Sequence, residues 1–374
     1  MRRYNPQQRG FTTLTLTILL LAIVIVVTLY TARFKLQEQR ILRNYHASLD
    51  AHLSAEAALE QRIAQAAAEN TALNDNGNVT LAGRTATTTI VSNRYNGTPR
   101  GDIDVATVSA TATALLQDTQ RQISQGLVVL PIIRAYPDVP LAIKGGINVS
   151  GNFQVVANPN GGGDGVPLSI WTDQIVDVNG SGTTCGQQEF NNGECSSRPL
   201  SERGEHGIDI LDQDPEFPAD LLDYLFGIAE VDWRELRDLA TAELSNCDSI
   251  ASQPSGLLWV NGDCTVNSST VVGSTEQPVV LIVQDGDLQM NGGAVVNGMV
   301  LSFRTPEDLA GPYELAMNGG AVVNGAVLAN HPASLANGTL TIRFDGEVLS
   351  NITNNQNFRR VSRIGGSWHD FASE

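Results

Sequence analysis

The side chains that could support chemistry are few and widely spaced. Four cysteines occur, at Cys185, Cys195, Cys247 and Cys264. If the chain is exported, an even count in an oxidising compartment predicts disulfide bonds, and pairing of neighbours (Cys185 with Cys195, Cys247 with Cys264) is the simplest of three connectivities. Zinc is the alternative, but the sequence has no C-x-x-C motif and no histidine beside these cysteines, so disulfides are favoured.

Carboxylates cluster at Asp209, Asp212, Asp214 and Glu216. Oxygen ligands at this density could hold Ca²⁺, and the three aspartates are the calcium candidate, although the spacing matches no EF-hand and a charged loop is favoured. The five histidines are scattered, and no nucleophile elbow, zinc-protease, Walker A or dinucleotide motif is present. The sequence therefore predicts neither an enzyme nor a cofactor.

The composition excludes other classes of function. The chain has 374 residues, 40 of them acidic and 23 basic, with a formal net charge of −17. This length permits two or three domains with a core of their own. Binding of nucleic acid regardless of sequence requires clustered Lys and Arg, so an acidic chain argues against a nucleic-acid partner.

The first 32 residues have the opposite character. The first ten contain three arginines and no acid, and residues 11–32 contain no charged side chain. As a helix this stretch is about 33 Å long, close to the ~30 Å hydrocarbon thickness of a bilayer. The arginines predict that the N-terminal end stays in the cytoplasm. A cleaved secretory signal would have a shorter apolar region and a small-residue cleavage site, so a retained anchor is predicted.

The junction between these two regions, QRGFTTL at residues 8–14, resembles the processing site of type IV prepilins. The resemblance implies that a prepilin peptidase cuts between Gly10 and Phe11 and methylates Phe11. It also implies that the retained helix packs among other pilins through Leu14, Thr15, Leu19 and Leu21. Without residues 1–10 the chain would have 20 basic and 40 acidic residues, a formal charge of −20.

One position departs from the major pilins. The fifth mature residue, commonly Glu in that family, is Thr15 here. In pilins this Glu is thought to meet the N-terminal ammonium of a neighbouring subunit, and a buried carboxylate is tolerated only when paired in this way. Its absence suits a minor or tip subunit. The segments SAEAALE (residues 54–60) and GSWHDF (residues 366–371) also resemble minor pilins of the PilX type.

The predicted organisation begins with a leader, residues 1–10, and a pilin helix, residues 11–70. After Arg33 the helix becomes amphipathic, with a coiled-coil dimer as the alternative use of its apolar positions. Residues 71–140 are predicted to form a small antiparallel sheet, with strands near 85–91, 102–112 and 127–133. Pro137 and Pro140 mark its end.

Residues 141–374 are predicted to form a Gly- and Asn-rich β domain. The nonapeptide MNGGAVVNG occurs at residues 290–298 and again, unchanged, at 317–325, which is typical of stacked structural repeats. We favour a parallel β-solenoid over a pair of antiparallel hairpins, with diverged repeats near 145–152 and 339–344. An insertion at 170–262 contains a predicted helix at 219–244. The C-terminal GSWHDF segment is predicted to cap the last repeat.

The predicted fold class is α+β: a long transmembrane helix, a small antiparallel sheet and a β-solenoid with a helical insertion. The resemblance implies a minor pilin that waits in the inner membrane and is then incorporated at or near the tip of a type IV pilus. Its partners would be the major pilin, other minor pilins, prepilin peptidase and a tip adhesin. The alternatives are a surface adhesin or glycan-binding module on a pilin anchor, and the tip pseudopilin of a type II secretion system. A polysaccharide lyase rests on fold analogy alone.

Overall fold

The computed structural model describes residues 8–69, 76–81, 83–98, 101–115, 118–149, 152–178, 181–311, 313–336 and 339–371. The chain divides into two compact units. Unit 1 comprises Met1–Ser92, Ala106–Leu127 and Arg363–Glu374, and unit 2 comprises Asn93–Val105 and Val128–Ser362.

The described residues form helices α1 (Gln8–Glu69), α2 (Gln187–Asn191), α3 (Leu221–Phe226), α4 (Trp233–Arg237) and α5 (Gly346–Asn354). Single 3-10 turns lie at Glu230–Asp232, Ile250–Ser252 and Gln356–Phe358. The strands up to the second disulfide are β1 (Gly77–Leu81), β2 (Arg84–Thr98), β3 (Gly101–Thr113), β4 (Gln120–Pro131), β5 (Leu141–Ile143), β6 (Ile147–Val149), β7 (Asn152–Val156), β8 (Ile170–Thr172), β9 (Val176–Val178), β10 (Thr183–Cys185), β11 (Ser201–Glu202), β12 (Ile210–Leu211), β13 (Ala242–Leu244), β14 (Gly256–Asn261) and β15 (Cys264–Val266). The remaining strands are β16 (Val271–Val272), β17 (Val279–Gln284), β18 (Leu288–Met290), β19 (Val295–Phe303), β20 (Glu314–Met317), β21 (Ala321–Ala329), β22 (Ala333–Ala336), β23 (Thr339–Arg343) and β24 (Arg359–Arg363).

The long N-terminal helix predicted from the sequence is confirmed. α1 runs without a break for 62 residues, because no Gly or Pro occurs between residues 11 and 69 to interrupt its backbone hydrogen bonds. Its C-terminal half has one face of small buried side chains, and Ala47 and Ala51 pack against Ala114 of unit 1. Small side chains allow this close approach. Asp50 forms an ion pair with Arg84, and the guanidinium of Arg121 donates to the Ser48 hydroxyl at 2.8 Å and 3.0 Å.

The small antiparallel sheet is also present, as five strands in the order β1-β2-β3-β4-β24. Strands β1 and β2 are antiparallel, with Val79 opposite Ala86. Alternate residues of β2 and β3 are buried, which is the period expected of a sheet with one covered face; the buried side chains are Ala86, Thr88, Ile90, Ala106, Val108, Ala110 and Ala112. Strand β24, which comes from the C-terminal part of the chain, was not predicted.

The GSWHDF segment does not lie on the parallel strands of the repeats. It joins β4 in unit 1: Ser124 and His369 exchange backbone hydrogen bonds of 2.9 Å and 3.0 Å. The Ser367 hydroxyl accepts from the Gly126 N–H at 3.0 Å and from Gln125 Nε2 at 2.7 Å. The prediction that this segment caps the last repeat is therefore wrong, because its polar groups bond to β4 of a different sheet.

Unit 2 is built mainly from two sheets with parallel pairing between most neighbouring strands. Thirteen strands form one sheet, with the main order β11-β10-β7-β23-β21-β19-β17-β14-β13, and six form another, in the order β15-β18-β20-β22-β6-β9. The two copies of the nonapeptide pair in parallel, with Asn297 beside Asn324 and Gly298 beside Gly325. The diverged repeats near 145–152 and 339–344 supply β6, β7 and β23 of these sheets.

Both faces of the larger sheet are apolar. In β14, Leu258 and Val260 belong to one buried cluster, whereas Leu257 and Trp259 belong to another on the opposite face. The parallel register places residues of the same face side by side: Leu258 lies beside Leu281, and Trp259 lies beside Ile282. Burial on both faces explains the nearly uninterrupted apolar runs of these strands in the sequence.

The repeated Asn-Gly dipeptide lies at a bend within β19. Residues before the bend pair with β16, and residues from Gly298 onward pair with β17. At the bend the amides form a ladder: Asn324 Nδ2 donates to Asn297 Oδ1 at 2.9 Å, and Asn297 Nδ2 donates to the Gly273 carbonyl at 3.0 Å. The asparagines thus hydrogen-bond from one repeat to the next.

The predicted helix at 219–244 is wrong. The structure has two short helices there, α3 and α4, followed by the strand β13. Gly227 ends α3 with φ +67°, a left-handed conformation that closes a helix and that side chains rarely adopt. The interval 170–262 also contains strands β8, β9, β10 and β14, which pair with other strands of the two parallel sheets.

The bend predicts that two glycines of the same repeat differ sharply in their tolerance of substitution by alanine. Gly298 has φ +152°, and a Cβ there would collide with the Val279 carbonyl oxygen, whereas a Cβ at Gly292 would lie 3.4 Å from its nearest neighbour. We expect Gly298→Ala to lower the free energy of unfolding by about 3 kcal/mol, and Gly292→Ala to change it little. Urea unfolding followed by tryptophan fluorescence measures both; equal midpoints for the two variants would contradict the bend.

Candidate functional site

The most extensive candidate site is the surface of α1. From Thr13 onward its side chains are described, and the large apolar ones up to Leu53 are exposed, including Leu14 (56%), Leu19 (58%) and Leu21 (64%). The predicted packing residue Thr15 is exposed as well. A continuous apolar surface of this kind marks a membrane or protein contact.

The threonines do not make this surface polar. The Thr28 hydroxyl donates to the Val24 carbonyl at 2.9 Å, and the Thr31 hydroxyl donates to the Val27 carbonyl at 2.8 Å. Thr17 bonds back to Leu14 in the same way. Because these hydroxyls are satisfied within the helix, they can enter an apolar environment at low cost. By length and composition α1 could cross a membrane.

The predicted cleavage position lies at the start of this helix. Gly10 and Phe11 both fall within α1, and the structure describes their backbone but not their side chains. The first seven residues of the predicted leader, with Arg2 and Arg3, lie outside the described residues.

The structure contains both disulfides in the predicted connectivity, Cys185–Cys195 and Cys247–Cys264. All four cysteines are at most 3% exposed. The first bond joins β10 to the segment after α2, and its sulfur atoms pack with Val156. The second ties the chain after β13 to β15. Each disulfide therefore fastens a point in the chain between β10 and β14 to a parallel strand, β10 in the first case and β15 in the second.

The aspartates of the calcium candidate are used separately. Asp209 Oδ1 accepts from the Ser201 hydroxyl at 2.6 Å, and Asp214 Oδ2 accepts from Trp171 Nε1 at 2.7 Å. Asp212 accepts from the Val176 N–H. Within the described ranges no group of three or more His, Cys, Asp or Glu is placed to hold a metal ion. Calcium binding at these residues stays a prediction without a visible ligand set.

A buried histidine in unit 2 was not singled out by the sequence. His331 is 1% exposed; its Nδ1 lies 2.9 Å from the Pro332 carbonyl and its Nε2 lies 2.9 Å from the Ser302 hydroxyl. A carbonyl can only accept, so Nδ1 carries the proton and Nε2 accepts from Ser302. His331 lies two residues after the end of β21, at an offset of 29 residues from Ser302.

The surroundings of this imidazole favour its neutral form. Burial is the main cause that lowers the pKa of His331, and the nearby Arg304 lowers it further. The Pro332 carbonyl and the carboxylates of Asp285 and Asp308 act in the opposite direction without reversing the shift. In the same unit, burial raises the pKa of Glu230, whose Oε1 accepts from Asn330.

Comparison with known proteins agrees with the N-terminal geometry. Residues 9–60 match the family model described as PilX N-terminal. No curated protein sequence matches the chain significantly. A solved structure, the competence-associated pilin ComZ from Thermus thermophilus, aligns with 87% of this chain and 97% of its own at 11% identity and a TM-score of 0.21. A TM-score of this size carries no argument about the fold.

His331 predicts acid sensitivity. Its pKa is lowered in the folded state, so below about pH 6.5 the unfolded chain takes up a proton that the folded chain refuses, and stability falls as the pH falls. We expect the loss of stability between pH 7.5 and 5.5 to be smaller in His331→Gln than in the unchanged protein. The exposed His206, changed to Gln, is the matched control and should leave the slope as it is.

Urea unfolding at each pH measures this difference. Glu230 is retained in all three proteins, so the comparison is made between their slopes and not from the slope of the unchanged chain alone. The same slope in His331→Gln and in the unchanged chain would contradict the assignment.

Proposed function

We propose that this chain, which carries a PilX N-terminal segment at residues 9–60, is a minor pilin of a type IV pilus. The observation that carries the proposal is the exposed apolar surface of α1, which coincides with the matched segment. Such a helix can exchange lipid for other apolar helices when a filament forms. The chain would thus be held in the inner membrane before assembly and be bound to the major and other minor pilins afterwards.

The proposal includes processing and orientation. Residues 1–10 would be a leader that stays in the cytoplasm through Arg2, Arg3 and Arg9, and prepilin peptidase would cut between Gly10 and Phe11. The head would then lie in the periplasm and later at the cell surface. The two buried disulfides support a head outside the cytoplasm, because such bonds persist in oxidising compartments.

A position at or near the tip is supported by Thr15. Without a carboxylate at this position, the chain cannot pair with the N-terminal ammonium of a neighbouring subunit inside the filament shaft. A subunit that lacks this pairing is less favoured along the shaft than at its end, where it has neighbours on one side only. The tip pseudopilin of a secretion system would share this feature.

We propose further that the repeats of unit 2 form a β-solenoid. In-register parallel pairing between β19 and β21, and the Asn297–Asn324 hydrogen bond at their common bend, support successive coils of similar shape. The proposed domains are then the pilin helix at 11–70, the small sheet at 71–140 and the solenoid at 141–374. At the tip, the acidic solenoid would be displayed to the exterior, where it could touch a tip adhesin.

A second candidate function is glycan binding by the head. An open surface depression of about 420 Å³ in unit 2 is lined almost wholly by amide side chains, which suit hydroxyl-rich ligands. Its lining is Glu276, Gln277, Asn351, Asn354, Asn355 and Asn357. The number of pili and the attachment of cells that lack this chain distinguish the two functions. A collapse in pilus number favours assembly, whereas normal pili that fail to attach favour the adhesin.

Processing is tested by the mass and N-terminal sequence of the mature chain. We expect Phe11 as an N-methylated first residue. Gly10→Leu should block the cut, because a large side chain replaces the glycine before the scissile bond, whereas Gln8→Ala should still be cleaved. A first residue of Met1, or a cut after Ala32, would contradict the pilin proposal.

The tip position is tested by restoring the missing carboxylate. In Thr15→Glu the new side chain can pair with the ammonium of a neighbour, so we expect more copies along the shaft by immunogold counting. The matched control is Thr17→Glu, where a carboxylate finds no such partner and should reduce incorporation, because an unpaired buried charge costs several kcal/mol. An unchanged distribution in Thr15→Glu would contradict the role given to Thr15.

A further inference from the structure

Two arginines of unit 2 line one small cavity. Its volume is about 80 Å³, and its lining consists of Leu130, Pro131, Arg134, Phe226, Gly227 and Arg360. None of these residues is acidic. Apolar groups and two guanidinium side chains therefore surround the same space.

The backbone fixes both arginines beside the cavity. The Arg134 N–H donates to the Leu225 carbonyl at 2.7 Å, which holds the segment after β4 against the end of α3. The Arg134 stem lies beside the left-handed turn at Gly227, where a Cβ would be 3.6 Å from Arg134 Cδ, an ordinary van der Waals distance. The Ile132 N–H donates to the Phe358 carbonyl at 2.6 Å, which brings the residues before Arg360 to the same place.

The contrast with the preceding arginine is informative. Arg359 is paired with Asp104 at 2.8 Å. Among the residues that the structure describes, neither Arg134 nor Arg360 forms an ion pair. The Nε atoms of Arg359 and Arg360 are both buried without an acceptor, so the difference between these two arginines is the ion pair to Asp104. This occurs in a chain with 40 acidic and only 23 basic residues, where carboxylates to pair with are plentiful. Two guanidinium groups that line one cavity without a carboxylate partner repel each other, and an anion bound between them would offset that repulsion.

We propose that this cavity binds a small oxyanion, a carboxylate or a phosphate group. Planar guanidinium groups present paired N–H donors that match the oxygens of both. The apolar side chains of Leu130, Pro131 and Phe226 displace part of the surrounding water, which strengthens the attraction between charges. The volume fits one such group and excludes a nucleotide. This site is separate from the α1 surface and does not depend on the role in pilus assembly.

Titration of the full chain in detergent with inorganic phosphate and, separately, with succinate tests the proposal. We expect saturable binding of at least one of the two, and the tighter ligand identifies the source of the oxyanion. Arg134→Gln and Arg360→Gln should each weaken binding about tenfold or more, since each removes charge-assisted hydrogen bonds. Arg203→Gln removes the same charge from an exposed position elsewhere in unit 2, and should bind as the unchanged protein does.

Arg134 is exposed, so Arg134→Gln is expected to fold even if Arg360→Gln does not, and calorimetry on the former keeps the test decisive. Absence of saturable binding of both anions to the unchanged chain would overturn the proposal. Equal weakening in Arg203→Gln would also overturn it, because it would indicate a general effect of charge.

Discussion

The rest of this protein depends on one constraint: the apolar side chains of α1 cannot remain in contact with water. The helix is continuous because its sequence has no Gly or Pro after residue 10. Its first part therefore requires a lipid or protein surround, whereas its last part is covered by unit 1 through a face of alanines. The change from large exposed side chains to small buried ones marks where the anchor ends and the soluble fold begins.

Features with a local cause could be predicted from the sequence. The helix follows from composition and length, the strands of the small sheet from alternation, and the alignment of Asn297 with Asn324 from an identical repeat. The disulfides followed from the simplest pairing of neighbours. In each case the residues that determine the structure are close together in the chain, or are identical copies.

What could not be predicted depends on partners distant in sequence. Ser367 meets Gly126, and nothing in either segment specifies the other. The aspartates near residue 210 resembled a ligand set because they are neighbours in sequence. In the structure each accepts a hydrogen bond from a different residue, namely Ser201, Trp171 or Val176. The prediction of a helix at 219–244 was wrong for a different reason. Its apolar residues are buried, but Gly227 adopts a left-handed conformation that ends α3.

The return of the chain to unit 1 at Arg363 has a consequence for biosynthesis. Ile364 bonds to Gly126, and His369 bonds to Ser124, so this side of β4 is completed by residues that are synthesised long after the strand itself. A nascent or truncated chain presents this side of the strand with its N–H and C=O groups unpaired. Because Val128–Ser362 of unit 2 precedes these residues in the chain, the last hydrogen bonds of unit 1 can form only after unit 2 has been synthesised.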